Sequence, residues 1–370
     1  MVKSLAGIAT LLGTIIGAGI LGIPYVVMKS GFLLGALNIL ILAVMMAIIC
    51  LCIGEITLRT KSDHQLTGYA EKYLGKRGKI LMFIIAAFGV ISALLAYLVG
   101  ESESISYLIF NSSTYKLEMG LFFWVLLSIL SHKGIKTLKL GEEIGLTLVL
   151  IFLISIGIFS LNNISTENLI YNNPKNIFAP FGVVLFSLLS FSAIPALKRI
   201  LDKNKSSLKG SIIKSYTFVT IIYLLFTAIV LGLKGSNTPQ IATLALGKPF
   251  ILLGMLTMFM AYLSLSNALR DAFTLDFGLS LNKAWFITSI VPLALFIFLQ
   301  ITNNANFIRI MEIGGTICAT LATIMIFIIF HKAKYLGDRR PEYQIKLPKI
   351  IIFLIVTLFI IGAIANLMTI

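Results

Sequence analysis

The chain has 370 residues, 58% hydrophobic and 12% charged, with a formal net charge of +15. A soluble domain is about half apolar and about a quarter charged. So few charges cannot coat a water-facing surface, which excludes a cytosolic enzyme and, despite the +15, a nucleic-acid-binding domain. Apolar runs near the ~20 residues that a helix needs to cross a bilayer recur along the whole sequence. The alternating ten-residue pattern of a transmembrane barrel does not. The class is an all-α integral membrane protein, a single membrane domain over 1–370.

Eleven spans are predicted, at 5–28, 32–57, 80–109, 119–131, 143–161, 178–197, 212–233, 249–270, 284–300, 306–330 and 348–369. The first follows Lys3 and runs on to Val27 without a small-residue cleavage site, so it reads as a span rather than a removed leader. Cys50, Cys52 and Cys318 lie inside apolar runs, which implies neither a disulfide framework nor a metal site. Between spans two and three, Leu66, Tyr69, Ala70, Tyr73 and Leu74 recur at helical spacing. A short amphipathic helix on the membrane surface fits this pattern, and so does an ordinary solvated connector. The fourth span is the shortest.

The basic residues then orient the bundle. With the N-terminus cytoplasmic, the inner ends carry 24 of the 30 Lys and Arg and the outer ends carry Lys29, Lys116, Lys175, Lys234, Lys248 and Arg309. Lys and Arg collect in cytoplasmic loops because they resist translocation. This places the C-terminus outside and accounts for the positive charge without any acidic partner. Attraction to anionic lipid is secondary.

Most spans are plain Leu, Ile, Val and Phe helices. Two are not. Span one contains GTIIGAGILGIPY, with Gly13, Gly17, Gly19 and Gly22 followed by Pro24. Interior glycine weakens a helix by about 1 kcal/mol against alanine, and proline by about 3, which predicts a break near Gly17–Gly19. Span six contains FSLLSFSAIPAL, where Ser187, Ser190 and Ser192 precede Pro195. A close-packing seam through Gly13 and Gly17, or a proline kink with back-bonding serines, would account for either feature alone. Together they fall where two five-helix repeats would begin, and interrupted segments at matching places in two halves mark a transporter site. Five helices per repeat, an odd number, inserts the halves in opposite senses. Unwound backbone in a membrane must be buried or line a wet cavity. A half-helix N-terminus there suits a carboxylate, and exposed carbonyls suit an ammonium group or a cation. A zwitterionic amino acid fits both.

GTIIGAGILGIPY is similar to the first-helix signature of the amino acid/auxin permease group, nearest to the bacterial hydroxy and aromatic amino acid permeases, and SFSAIPAL at 190–197 resembles their sixth-helix stretch. The resemblance implies a LeuT-like 5+5 inverted-repeat fold with broken helices 1 and 6 plus an eleventh helix. The repeats would be 5–161 and 178–330, with the last helix at 348–369. It also implies secondary active uptake of an amino acid by alternating access. Carried over, the backbone of Gly17, Ala18, Gly19 and Ile20 holds the substrate carboxylate. Groups around Ser187, Ser190 and Ser192 hold the amine and part of the side chain. Tyr97 is the third-helix tyrosine that approaches the carboxylate, unless it is an interfacial belt residue. A sodium site would use the Gly13 and Ile16 carbonyls with Ala261 and Ser264. Leu265 stands where a second hydroxyl belongs, and the fifth span has no lysine to replace sodium. The bacterial aromatic permeases that the chain resembles are generally proton symporters, which favours a coupled proton over Na+.

Carboxylates within spans are functional candidates by default. Glu101 follows Tyr97, about 33 Å along its helix from Lys79 at 1.5 Å per residue, which puts it near the outer surface. Glu312 lies three residues after Arg309, at ion-pair spacing. Both are candidates for proton coupling or an outer gate, or else are solvated helix-end residues. The expected protein is thus a plasma-membrane amino-acid transporter and not an enzyme. It would act as a monomer and need no cofactor or resident metal beyond the coupling ion. A membrane amino-acid sensor using the same pocket is the second reading. Which amino acid is carried is not legible.

Overall fold

The computed structural model describes residues 2–133, 151, 155 and 164–368. The fold is carried by α1 (Val2–Ile15), α2 (Gly19–Ser30), α3 (Phe32–Arg59), α4 (Leu66–Phe110), α5 (Lys116–Lys133), α6 (Phe181–Leu188), α7 (Ala193–Leu201), α8 (Leu208–Lys234), α9 (Lys248–Asp271), α10 (Leu281–Ile301), α11 (Phe307–Leu336) and α12 (Lys349–Met368). The predicted fifth span at 143–161 and most of the basic loop 132–141 lie outside the described residues. The fifth-span lysine argument goes with them. Among the described residues, eight helical segments, with α6 and α7 counted as one, are long and apolar enough to cross a membrane, and the bent pair α1–α2 makes a ninth. At the predicted fourth span, α5 is a helix of 18 residues.

The surface helix predicted between spans two and three is present. Residues 66–74 are helical and bury Tyr69, Ala70 and Tyr73. At Gly75 the backbone turns through φ 74°, and the span proper begins. Beyond the turn α4 runs through the middle of the bundle, packed against α5, α9, α10 and α11. On its other side α1 and α2 pack on α8, and α3 crosses α8.

The two ends of the bundle are fastened differently. At one end the segment 164–180 lies across α2, α3 and α8. Gly31, with φ 89°, forms an antiparallel bridge to Asn172, and the Asn173 N–H donates to the Ser30 carbonyl at 2.8 Å. The Asn38 side chain donates to the Ile177 carbonyl at 2.8 Å. At the other end, the basic one, charged loops are tied together. Lys198, 2% exposed on α7, pairs with Asp63 at 2.9 Å and donates to the Thr60 carbonyl. Lys72 of the surface helix pairs with Asp338 at 2.6 Å, which also accepts the Lys61 N–H. Glu55, fully buried, pairs with Arg59 at 2.8 Å and accepts the Ile345 N–H.

Lys198 and Lys72 hold the Asp63 and Asp338 carboxyls below the usual carboxylate range. Each acid is lowered by its partner, so these ties are fully present above the ordinary carboxylate pKa of about 4. They are lost as the pH falls through the lowered values. Removing one tie should loosen its loop. Trypsin cleavage after the exposed Lys61 is expected to rise about fivefold in Lys198→Met, the effect of losing roughly 1 kcal/mol of local stability. Unchanged cleavage would mean that Asp338 alone holds this loop.

Candidate substrate site

Both predicted breaks are present. In span one, α1 stops at Ile15 and α2 starts at Gly19, and the two halves bend by 53°. Through the break the Ile16 N–H still reaches the Leu12 carbonyl at 2.8 Å, while Gly17 turns back to Ile15 at 3.0 Å. Pro24 lies inside α2, downstream of the break. In span six, α6 stops at Leu188 and α7 starts at Ala193. Pro195 falls in the first turn of α7, where a missing N–H leaves no bond unmade. This proline starts the second half-helix rather than kinking it.

The breaks touch. A β-carbon on Gly19 would fall on the Ser187 hydroxyl and within 2.8 Å of its Cα. Only glycine allows this approach. Beside the contact lies a cavity of about 200 Å³. Among the residues predicted for substrate, Gly17, Gly19, Tyr97, Ser187 and Ser192 line it, as do all four predicted cation positions, Gly13, Ile16, Ala261 and Ser264. The Tyr97 hydroxyl stands over Gly17, 3.4 Å from where a β-carbon would be. Ala18 and Ile20 are packed in the core instead. Ser190 turns its hydroxyl onto Tyr216 at 2.9 Å, beside the Cys50 thiol at 3.6 Å. The Ser187 hydroxyl donates back to the Val183 carbonyl at 2.8 Å.

Phe186, Phe191, Met82, Met260, Ile85 and Val90 make the walls largely apolar. The cavity reaches Leu66 and Met82, toward the basic end. Away from that end, Gly22 packs against Ile308, Val183 and Met311.

Neither acidic candidate lines the cavity. Glu101 is fully buried, so the expectation of a solvated helix end does not hold. Both its carboxyl oxygens lack a hydrogen bond among the described residues, and the Phe259 backbone lies nearby. It sits one helical turn beyond Tyr97, on the same face. Glu312 is 7% exposed and lies beside Gly182. It makes no ion pair with Arg309, although the Arg309 and Lys29 charges both reach it.

Sequence reasoning missed the residues that hold the breaks from behind. The Tyr223 hydroxyl reaches the Ile15 carbonyl at 2.9 Å and the Ser187 carbonyl at 2.8 Å. The Tyr216 hydroxyl reaches the Leu188 carbonyl at 3.0 Å. The available signal was spacing, since seven residues put both tyrosines on one face of α8.

In chemical terms, the N-terminus of α2 and the C-terminus of α6 meet beside one apolar chamber, with the Ser187 and Leu188 carbonyls turned to Tyr223 and Tyr216. The first end carries partial positive charge and the second partial negative charge.

A membrane bundle whose first and sixth spans break against one another beside a midspan cavity has the LeuT-like transporter fold. The crystal structure of MhsT in complex with L-phenylalanine superposes on it with a TM-score of 0.67 at 16% identity, covering 98% of each chain. The tryptophan/tyrosine permease family matches residues 1–366, and the chain belongs to that family. Curated relatives include the tyrosine-specific transport system 1 of Haemophilus influenzae, 24% identical over 239 residues and 64% of this chain. Another is the glutamine transporter 2 of Aliivibrio fischeri, 24% identical over 237 residues and 61% of this chain. The chain spans 60% of the length of each.

Proposed function

We propose that this chain is a secondary active transporter that carries a bulky apolar or aromatic amino acid across the plasma membrane by alternating access, and that it is not an enzyme. The observation that carries this reading is the meeting of two helix breaks on one apolar-walled cavity. The α2 N-terminus supplies donors for the carboxylate, backbone carbonyls of the 189–192 break take the ammonium, and the Phe and Met walls take the side chain. Membership of a permease family and the names of the relatives point the same way. The 24-to-6 distribution of basic residues supports a cytoplasmic N-terminus and an outer C-terminus. The cavity then opens inward, and α1 with α7 would move when the site turns outward. The two halves would form a 5+5 inverted repeat, and a single chain holds the whole site, which supports action as a monomer.

The coupling ion in this reading is a proton. The Gly13, Ile16, Ala261 and Ser264 positions share one wall, but Leu265 beside them brings no hydroxyl. Glu101 offers a buried carboxyl instead. Uptake into liposomes containing only this protein decides the matter, with the twenty amino acids competing under a pH gradient and then a sodium gradient. Accumulation driven by pH is the expected result. Binding without accumulation would make the protein a sensor, and accumulation only with sodium would move the coupling site back to the Gly13–Ser264 wall.

One native reporter tests the cavity directly. Cys318 lines it, whereas Cys50 and Cys52 are fully buried. A membrane-permeant maleimide should modify Cys318 alone, and saturating substrate should slow the reaction about tenfold, as occupancy of 90% would. Labelling at an unchanged rate, with substrate demonstrably bound, would place the substrate elsewhere.

A further inference from the structure

The Ile15 carbonyl ends α1, and the Ser187 carbonyl lies in the last turn of α6. These are helix C-termini, so both carry partial negative charge and neither is a natural neighbour of the other. They converge on a single group, the Tyr223 hydroxyl, which is 2.9 Å from one and 2.8 Å from the other. A phenol has one proton and serves one acceptor at a time. The Ile15 carbonyl also takes the Gly17 N–H at 3.0 Å. The Ser187 carbonyl has Tyr223 as its donor.

Tyr223 is wholly buried and does not line the cavity, so it does not touch the substrate. Tyr97 of the cavity wall lies near Tyr223. Two turns earlier on the same helix, Tyr216 holds the Leu188 carbonyl and Ser190 but reaches nothing on α1.

We propose that Tyr223 is a positioning residue that ties the two broken spans into one unit. Its hydroxyl sets the distance between the α1 and α6 ends, and therefore the alignment of the donors and acceptors that face the amino acid. The proposal rests on the transport reading for its first test and stands apart from it in its second.

In transport, Tyr223→Phe removes one oxygen and leaves two carbonyl ends facing each other. The expected result is a KM for L-tyrosine raised at least tenfold, with a maximal rate within about twofold of the wild type. Tyr216→Phe should change KM by less than threefold. Tyr223→Gln, whose amide has two N–H donors, should recover most of the lost affinity. A wild-type KM in Tyr223→Phe, a fall in maximal rate alone, or Tyr223→Gln no better than Tyr223→Phe would overturn the proposal. The second test needs no substrate. Amide exchange in the detergent-solubilised chain should accelerate at least tenfold at both 16–19 and 189–192 when Tyr223 is replaced by Phe, or by Leu if that variant is the one that folds. Acceleration at one break only, or at neither, also overturns it. If wild-type protein transports no amino acid but both breaks loosen together, the transport reading fails and the tie stands.

Discussion

Gly19→Val is expected to abolish substrate binding, and Gly19→Ala to reduce uptake by at least about a hundredfold. The reason is the contact between the two breaks. A β-carbon at 19 would meet the Cα and Cβ of Ser187 at 2.8 Å, besides its hydroxyl. The hydroxyl can rotate away, but the backbone cannot. Nor can α6 retreat. All eight of its residues are buried, Gly182 and Gly315 hold it against α11 at backbone distance, and Gly362 of α12 seats the Phe181 ring. The variant must therefore push α2 off its place, and misplacing a binding group by about 1 Å costs on the order of 10² in rate. Gly17 makes the control. A β-carbon there would sit 3.4 Å from the Tyr97 hydroxyl, an ordinary contact, so Gly17→Ala should keep uptake within about fivefold. Equal losses in the two variants would mean that glycine is needed for the unwound backbone itself rather than for the approach to Ser187.

This contact also divides the site into fixed and mobile parts. The half-helix α6 is gripped by α2, α3, α11 and α12. Asn366 of α12 donates to the Phe178 carbonyl just before α6 and meets Thr316 of α11 at 3.1 Å. The half-helices α1 and α7, toward the basic end, are held in part by polar ties. Gly7 of α1 packs on Leu197 and Leu201 of α7, and α7 is fastened to the loop at 60–63 through Lys198. Ion pairs and single contacts near a cavity mouth open at low cost, whereas a buried glycine-packed helix does not. The same asymmetry would let the basic end open while the far end stays shut.

The bundle and its breaks were legible because membrane physics writes them in composition. Apolar length gave the spans, the glycines of span one marked a break near Gly17–Gly19, and Ser187, Ser190, Ser192 and Pro195 marked span six as irregular. The walls were harder to read. Pro195 looked like a breaker but starts α7, since a proline's effect depends on its place in the turn. Ser190 looked like a substrate ligand, yet its hydroxyl is used by Tyr216, a partner 26 residues away that no local pattern reveals. Lys198 counted as one more loop cation until folding buried it. Glu101 was placed near a surface by path length along α4, but a helix that other helices cover has no surface at that point. Each of these depends on long-range packing, which a single sequence records only as unremarkable residues.

Glu101→Gln is expected to uncouple transport from the pH gradient. The carboxyl is wholly buried and without a hydrogen bond among the described residues. An unpaired charge there is heavily penalised. The closest acidic neighbour along the helix, Glu103, already has Lys116 at 3.6 Å, so that cation serves another group. Proton occupancy at Glu101 is thereby bound to the conformation that buries it, and the group can give up its proton only when the bundle rearranges to supply water or a positive partner. Tyr97, one turn away, ties that rearrangement to the substrate cavity. Glutamine keeps the shape and removes the titration. Accumulation driven by an imposed pH gradient should fall at least tenfold, while exchange of labelled for unlabelled substrate stays within about twofold, because exchange needs no net proton movement. Glu312, on α11 beside Gly182 rather than one turn from Tyr97, is the comparison, and Glu312→Gln should leave both within about twofold. If pH-driven accumulation survives Glu101→Gln, the proton is carried elsewhere, and Glu101 is only a buried acid held neutral by its neighbours.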